Sequence, residues 1–255
     1  MGSAPTSWQQ GKLFPIRGVV DLGPIGEGVS GARWLGVYDE QVLTVYAAKR
    51  SSDRYPYLLV NEAVCAAIAD ELGLPVPASR AIRLEDQVWF GLERKEPKVA
   101  YTAQNLLSCV NRDQVAGILA FDVLVCNPDR HEGNAVLHRF QQSPPALRLW
   151  IIDHSHALVG PRRSVGALLA TAHNTKPLLK LPHHKEVIQR RSQFDPFVDR
   201  VEAIDGALFD EIVASLPEEF IPTGADLAAL SSFLVVRRDE VRSLIDAAFQ
   251  HLPYQ

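Results

Sequence analysis

The sequence predicts an α+β protein with two lobes, a small β-rich N-terminal lobe that carries one helix and a larger, mostly helical C-terminal lobe. Strand-like runs separated by short turns fill residues 18–96 apart from one helical pattern. Helical patterns dominate residues 97–255, where a single β-hairpin carries closely spaced polar residues. Residues 1–17 show neither pattern and are expected to be a flexible N-terminus.

The composition is that of an ordinary soluble globular protein. The chain has 255 residues, 47% of them apolar, and a net charge of −4, which argues against direct binding of nucleic acid through overall charge. No apolar run reaches the length of about 18 residues that a transmembrane helix needs. The start of the chain lacks the features of a signal peptide. Cys65, Cys109 and Cys126 have no metal-ligand spacing, so we expect buried, reduced thiols in a cytoplasmic protein.

A glycine-rich loop opens the N-terminal lobe. Gly26, Gly28 and Gly31 fit the spacing G-x-G-x-x-G, which is a weak signal by itself. A dinucleotide-binding loop would open a helix, but this loop leads into strand-like runs over residues 32–38 and 41–49. Glycines between two strands would let backbone N–H groups approach the oxygens of a phosphate, and a merely flexible loop is the alternative.

A lysine and a glutamate follow the loop in an informative order. Lys49 ends the second strand, and Glu62 lies near the start of a helical pattern that Gly73 stops. The apolar face of that helix is formed by Val60, Val64, Ile68 and Leu72. A strand lysine followed by a helix glutamate matches the ion pair that positions ATP phosphates in kinases. The alternatives are a solvated lysine and a surface glutamate that favours the helix N-terminus.

The remaining chain predicts further strands and then helices. A charged connector over residues 93–97 follows the strands of a second hairpin, and a long helix precedes the strands of a third hairpin. The strands and the helix cover residues 81–84, 87–92, 111–126, 135–140 and 147–152. Helical segments punctuated by prolines follow near residues 164–172, 184–192, 195–203, 207–215 and 225–250.

The strongest signal is a set of oxygen-bearing side chains around the third hairpin. Asp129 and Asn134 lie five residues apart after the long helix, and an apolar strand leads to Asp153. Each residue alone is more often a turn or capping residue. Together they are the set that phosphoryl transfer needs. One carboxylate accepts or orients the proton of the nucleophile, while a second carboxylate and an amide oxygen hold Mg²⁺ against the phosphates of ATP.

In this order the motifs resemble the HipA-like kinases, which are related to HipA-type toxin kinases and more distantly to phosphatidylinositol 3- and 4-kinases. The resemblance extends over roughly residues 18–250. The segments that carry it are Asn61-Glu62, Leu72–Pro77, Phe121-Asp122, Asn127–Asn134 and Ile152–His154. It implies a bilobal, protein-kinase-like fold and the ATP- and Mg²⁺-dependent transfer of a phosphate to a serine or threonine hydroxyl of a protein.

The resemblance also implies roles for five residues. Asp129 would be the catalytic base, and Asn134 and Asp153 would hold Mg²⁺. Lys49 would contact the nucleotide phosphates, and Glu62 would hold Lys49 in place.

The resemblance further implies how the nucleotide and the loops are held. His131 would lie by the γ-phosphate or the catalytic aspartate, or would hold the loop as a structural histidine, and Arg130 would brace the loop. The glycine-rich loop would cover the phosphates, and the connector after residue 92 would offer backbone groups to adenine. The residues expected to bind ATP are Gly26, Gly28, Val29, Ser30, Gly31, Ala32, Lys49 and Glu93.

Some properties do not follow from the resemblance. His154-Ser155 follows Asp153 where ordinary protein kinases have Phe-Gly, so a switch built on that segment is not expected. An antitoxin-like partner is possible but not implied, because few residues precede the glycine-rich loop where HipA toxins carry a further subdomain. The basic residues Arg162, Arg163, Lys176 and Lys180 form a solvated loop or capture an acidic substrate. A lipid or small-molecule kinase and a nucleotide-binding pseudokinase or scaffold are the alternative functions.

Overall fold

The computed structural model describes residues 19–26, 31–39, 42–160, 165–173, 180–225 and 227–250. It has the predicted α+β architecture, with an antiparallel sheet in the N-terminal lobe and mostly helices in the C-terminal lobe. The expectations for residues 1–17 and for Gly28, Val29, Ser30, Arg162, Arg163 and Lys176 lie outside the described residues. The lobe boundary between residues 96 and 97 stays a prediction.

The N-terminal lobe is a five-stranded antiparallel sheet in the order β1-β2-β3-β5-β4. Its strands are β1 (Val19–Pro24), β2 (Arg33–Asp39), β3 (Val42–Lys49), β4 (Ser79–Leu84) and β5 (Gln87–Glu93). Side chains alternate between the two faces of such strands. One face buries an apolar cluster that consists of Leu35, Val37, Tyr46, Ala48, Ile82 and Trp89. The residues in alternation with these, such as Trp34, Ala47 and Lys49, therefore point to the opposite face, which lines a cavity.

Helix α1 (Leu58–Glu71) joins β3 to β4 through the core of the protein. Every residue from Leu58 to Ala69 is buried, so the helix has no solvated face over this length. The expectation that Glu62 could be a surface residue is wrong, because its side chain is only 1% exposed. The predicted stop at Gly73 is confirmed by its left-handed backbone, with φ at 66°, and by the hydrogen bond from Leu74 N to Ala69 O.

The C-terminal lobe combines a small sheet with helices. Strands β6 (Lys98–Val99), β7 (Ala135–Gln142) and β8 (Pro145–Ile151) form an antiparallel sheet in that order. The fully buried α3 packs against α6 and α8. The helices are α2 (Ala103–Leu107), α3 (Val115–Leu124), α4 (Val165–Leu168), α5 (His184–Val187), α6 (Asp195–Glu202), α7 (Gly206–Ala214) and α8 (Ala228–Gln250).

Several predicted helix bounds are wrong. The helix expected to run to residue 126 ends at Leu124, because Cys126 adopts a left-handed backbone with φ at 52° and Asn127 N donates to Asp122 O. Helices α4 and α5 have four residues each and are shorter than the predicted segments near 164–172 and 184–192. Strand β6 and helix α2 were not predicted, because two and five residues are too few to show a hydrophobic period.

Two further expectations concern cysteines and membranes. Cys65, Cys109 and Cys126 are free and buried, as predicted. Within the described ranges, no helix is both long enough and apolar enough to span a bilayer.

Candidate active site

A cavity of about 300 Å³ lies between the N-terminal sheet and the β7–β8 hairpin. Ala47 and Leu92 contribute to its wall from the sheet, and Val136 and Ile152 contribute from the hairpin. Lys49, Glu62 and Asp153 line the same cavity, and so do the charged residues Glu93, Arg94, Lys95 and Lys98. A mainly apolar pocket with a few converging charged groups is typical of sites that bind small ligands.

Lys49 forms two ion pairs, one with Glu62 in the N-terminal lobe and one with Asp153 in the C-terminal lobe. Its Nζ lies 2.7 Å from Glu62 Oε1 and 2.6 Å from Asp153 Oδ1. The side chain of Glu62 is 1% exposed and that of Lys49 is 15% exposed, whereas the side chain of Asp153 is 32% exposed and faces the cavity. The structure therefore brings together three of the predicted site residues, and the alternative of a solvated Lys49 is wrong.

The ion pairs shift the pKa values of all three groups. Burial by itself lowers the pKa of Lys49, but the charges of Glu62 and Asp153 outweigh it and hold this pKa above its usual value. Burial raises the pKa values of Glu62 and Asp153, and the positive charge of Lys49 outweighs burial, so that the pKa of Asp153 lies well below its usual range. All three groups are therefore charged near neutral pH.

The loop after α3 is held by a buried arginine. Arg130 Nη2 lies 2.9 Å from Asp122 Oδ1, and both side chains are fully buried. Arg130 Nη1 also donates to the backbone oxygens of Asn134 and Ile152, at 2.8 and 2.9 Å. Asn127 adds a hydrogen bond of 2.9 Å to the same aspartate. Arg130 braces the loop, as expected, and its partner on α3 is Asp122.

The same contacts place Asn134 beside the end of β8. Ile152 N donates to Asn134 O at 3.1 Å, and the β7–β8 register pairs Ala135 with Ile151. Asn134 therefore lies opposite Ile152, the residue directly before Asp153. Asn134 Nδ2 donates to the backbone oxygen of Asp129 at 2.8 Å, so the proposed metal ligand and the proposed base are held together by a hydrogen bond.

His131 and Asp129 belong to the loop after α3 and are not among the residues that line the cavity. Their side chains are 54% and 44% exposed, and His131 Nε2 is 3.9 Å from Asp129 Oδ2, too far for a hydrogen bond. His131 Nδ1 accepts a hydrogen bond of 3.0 Å from Gly133 N. The structure thus shows the loop-holding contact that was one of two expectations for His131.

The described ends of the glycine-rich loop contribute to the cavity wall. Ile25 N donates to Ala32 O at 2.8 Å, and both residues line the cavity. Gly26 and Gly31 have left-handed backbones, with φ at 56° and 59°, which glycine adopts without strain. Glu93, at the end of β5, also lines the cavity.

Two polar residues of the site were missed. Asn61 Nδ2 donates to Ser155 O at 3.0 Å, and Ser155 Oγ donates to Asp153 Oδ1 at 2.6 Å. Their positions in the sequence were a usable signal, because Asn61 directly precedes Glu62 and a serine two residues after an aspartate can bond its side chain. Lys180, expected in a basic loop, donates to the backbone oxygen of Pro128 at 2.7 Å.

Similarity to known proteins agrees with this architecture. No curated protein sequence matches the chain. The structure of a Helicobacter pylori proinflammatory kinase, CtkA, matches 94% of this chain and 97% of its own, with 15% identity and a TM-score of 0.59, which shows a shared fold. A structure of a Shewanella oneidensis HipA, HipB and operator DNA complex matches 97% of this chain and 68% of that chain at 12% identity, with a TM-score of 0.46.

The sequence family is shown by a separate comparison. A family model described as HipA-like kinase matches residues 37–238, a span that includes Lys49, Glu62, the Asn127–Asn134 loop and Asp153. The match extends over well more than half of the chain, and the five-stranded sheet, α1 and the β7–β8 hairpin all lie within it or overlap it. The chain therefore belongs to the HipA-like kinase family.

Proposed function

We propose that this chain is an ATP- and Mg²⁺-dependent kinase that transfers the γ-phosphate of ATP to a serine or threonine hydroxyl of a protein. The observation that carries the proposal is the placement of Lys49 between Glu62 and Asp153 in the wall of the cavity. Two carboxylates fix the ammonium group from both sides, so that its position does not depend on a ligand. A fixed cation in a partly apolar pocket suits the phosphates of a nucleotide.

The shape of the cavity supports a nucleotide as the ligand. Apolar side chains of Ala47, Leu92, Val136 and Ile152 suit the flat faces of a base. The ion-paired end of the cavity suits the phosphates. We assign Glu93 and the described loop residues Gly26, Gly31 and Ala32 to the nucleotide site on this basis, because Glu93 and Ala32 line the cavity and the two glycines directly adjoin its lining residues Ile25 and Ala32.

The donor atoms present fit a Mg²⁺ ion. Asp153 Oδ1 accepts from Lys49 and Ser155, and no described residue donates to Asp153 Oδ2 or to Asn134 Oδ1. These are hard oxygen donors, and Mg²⁺ needs only one or two protein ligands besides water and phosphate. The described residues contain no group of three or more His, Cys, Asp or Glu side chains that could form an all-protein site. Bound Mg²⁺ would neutralise charge on the phosphates during transfer.

Asp129 is the proposed catalytic base. Its backbone is fixed by Asn127 Oδ1, which accepts from Asp129 N at 3.1 Å, and by Asn134, while its carboxylate is 44% exposed. An exposed carboxylate on a fixed backbone can accept the proton of a hydroxyl that arrives from solvent. This exposure favours an acceptor carried on another protein over a small acceptor enclosed by the site. His131, beside Asp129, is assigned to holding the loop.

The proposal is tested with labelled ATP. The wild-type chain, Asp129→Asn, Asp153→Asn and the control Asp210→Asn are each incubated with Mg²⁺, γ-labelled ATP and a cell lysate, and acceptors are identified by mass spectrometry. Asp210 is an exposed residue of α7 and belongs to no part of the site. We expect protein phosphorylation by wild type and Asp210→Asn, and a loss of about 100-fold or more in both site variants.

Other outcomes would point to the alternative functions. Label found only on lipids or small molecules would assign the chain to the lipid or small-molecule kinases. Stabilisation by Mg-ATP in a thermal shift assay, without transfer to any acceptor, would identify a nucleotide-binding pseudokinase. Undiminished transfer by both site variants would contradict the assignment of the site.

A further inference from the structure

Helix α1 contacts the segment after Asp153 through two adjacent side chains. Asn61 Nδ2 donates to Ser155 O at 3.0 Å, and Glu62 Oε2 accepts from His154 N at 3.1 Å. The second oxygen of Glu62 binds Lys49. Asn61 and Glu62, which are adjacent on α1, thus hold backbone groups of two successive residues, the carbonyl of Ser155 and the N–H of His154.

The burial of Asn61 is not explained by packing. Asn61 and His154 are both fully buried. Asn61 Oδ1 and the two ring nitrogens of His154 have no hydrogen-bond partner among the described residues. Burial of a polar atom without a partner costs free energy, and an apolar side chain of similar size at position 61 would avoid that cost. The hydrogen bond to Ser155 O is therefore the contribution that distinguishes Asn61 from an apolar residue.

The segment that Asn61 holds is conformationally strained. Asp153 has a left-handed backbone with φ at 58°, which costs free energy for a residue other than glycine. Its Oδ1 accepts from Ser155 Oγ at 2.6 Å and from Ser155 N at 3.3 Å. Contacts that fix Ser155 therefore also fix the carboxylate of Asp153, and Asn61 fixes the carbonyl of Ser155.

We propose that Asn61 is a positioning residue for the kinase reaction, which acts through Ser155 to hold the Asp153 carboxylate in the site. The inference rests on the proposed function, in which Asp153 is a Mg²⁺ ligand. Asn61 itself is absent from the residues that line the cavity, and its hydrogen bond acts on the site through Ser155. Loss of its amide would leave α1 in place and let that segment relax.

The test compares Asn61→Leu with the matched control Gln114→Leu. Gln114 Nε2 donates to Gly73 O at 2.9 Å, so it makes a similar side-chain-to-backbone bond just beyond the other end of α1. We expect Asn61→Leu to lower kcat about 10-fold or more and to raise the Mg²⁺ concentration for half-maximal rate by a similar factor, as losses around metal ligands commonly do. We expect Gln114→Leu to change neither value more than about two-fold.

A second measurement needs neither ATP nor Mg²⁺. Hydrogen exchange of the nucleotide-free protein should show faster exchange over residues 153–158 in Asn61→Leu than in wild type or in Gln114→Leu. If Asn61→Leu does not fold, Asn61→Ala is measured in the same way, because it removes the amide without adding a longer apolar chain.

The outcomes separate this inference from the proposed function. Wild-type kcat and Mg²⁺ dependence in the Asn61 variant, or equal losses in both variants, would overturn the positioning role. If wild type transfers no phosphate, the proposed function fails, and the hydrogen-exchange comparison still decides whether Asn61 holds the segment. Unchanged exchange over residues 153–158 would overturn it independently of any activity.

Discussion

Lys49 and Asp153 are in direct contact, with 2.6 Å between Nζ and Oδ1, although they lie at the ends of strands in different sheets. Lys49 ends β3 of the five-stranded sheet, and Asp153 lies two residues after β8. Because Glu62 of α1 contacts the same ammonium group, one charged cluster connects the sheet, the long N-terminal helix and the hairpin.

The first prediction concerns the removal of the central charge. Lys49→Met should abolish phosphoryl transfer and should lower the free energy of unfolding by about 3–5 kcal/mol, because it leaves the buried Glu62 without its cation. Urea unfolding measures the second effect. The double variant Lys49→Met/Glu62→Gln should recover part of the stability but no activity. A stability loss in the double variant that equals the sum of both single losses would show that the two groups are not coupled.

The second prediction concerns acid. The pKa of Asp153 is lower in the folded protein than in the unfolded chain, so its contribution is present above the unfolded value, near 4, and is lost as the pH falls below that value. The free energy of unfolding of wild type should therefore fall more steeply below pH 4 than that of Asp153→Asn. Parallel curves from pH 7 to pH 3 would contradict the contribution of this group.

Lys49 makes the opposite contribution at high pH. Its pKa is raised in the folded protein, so its contribution is present below the unfolded value, near 10.4, and is lost as the pH rises above it. The cluster should hence remain intact from about pH 5 to pH 10.

The third prediction concerns the ion pair under the loop. Asp122→Ala should destabilise the protein by about 3–5 kcal/mol, because Arg130 would remain fully buried without its counter-charge. Asp199→Ala is the control. It removes a partner of Arg242 that is 67% exposed, and a loss below about 1 kcal/mol is expected there. Equal losses in the two variants, measured by urea unfolding, would show that burial does not govern the strength of these pairs.

The fourth prediction concerns a glycine inside a helix. Alanine is favoured over glycine in helices by about 1 kcal/mol, yet Gly117→Ala should destabilise the protein by about 1–3 kcal/mol. A Cβ at position 117 of α3 would lie 2.3 Å from Phe197 Cδ1 and 2.9 Å from Leu74 Cδ2. Thermal unfolding decides between the gain in helix propensity and the steric clash. A higher melting temperature in Gly117→Ala would show that the gain is larger and that Phe197 moves aside at little cost.

Much of the fold could be predicted from the sequence. Strands β2 to β5 of the N-terminal sheet lie within a few residues of their predicted bounds, because alternation of side chains is a local signal, whereas no bounds were predicted for β1. The candidate site residues could also be predicted, because phosphoryl transfer restricts the types of residue that can bind the phosphates and the metal ion. In chain order they follow the glycine-rich loop as Lys49, Glu62, Asp129, Asn134 and Asp153.

Other features depend on contacts that no local pattern shows. The burial of Glu62 follows from the packing of α1 on all sides, and its hydrophobic period alone suggested an exposed glutamate. Between residues 165 and 194 the helices are shorter than predicted, and near the end of this stretch Arg191 pairs with Asp246 of α8, a contact that no local pattern reveals. Asn61 belongs to a segment that carries the family resemblance, but its role was not predicted, because its partner, Ser155, is 94 residues away in the sequence.

The hydrogen bonds of Asp122 restrain the motions of the loop over residues 127–134. This segment has only one short 3₁₀ turn of regular structure, over Glu132–Asn134, yet Asp122 ties it to the fully buried α3. Its backbone cannot open without exposing Arg130 from the interior. The protected amides of this loop should therefore exchange with solvent only when the core itself unfolds, at a rate typical of a central helix and unlike that of a surface loop.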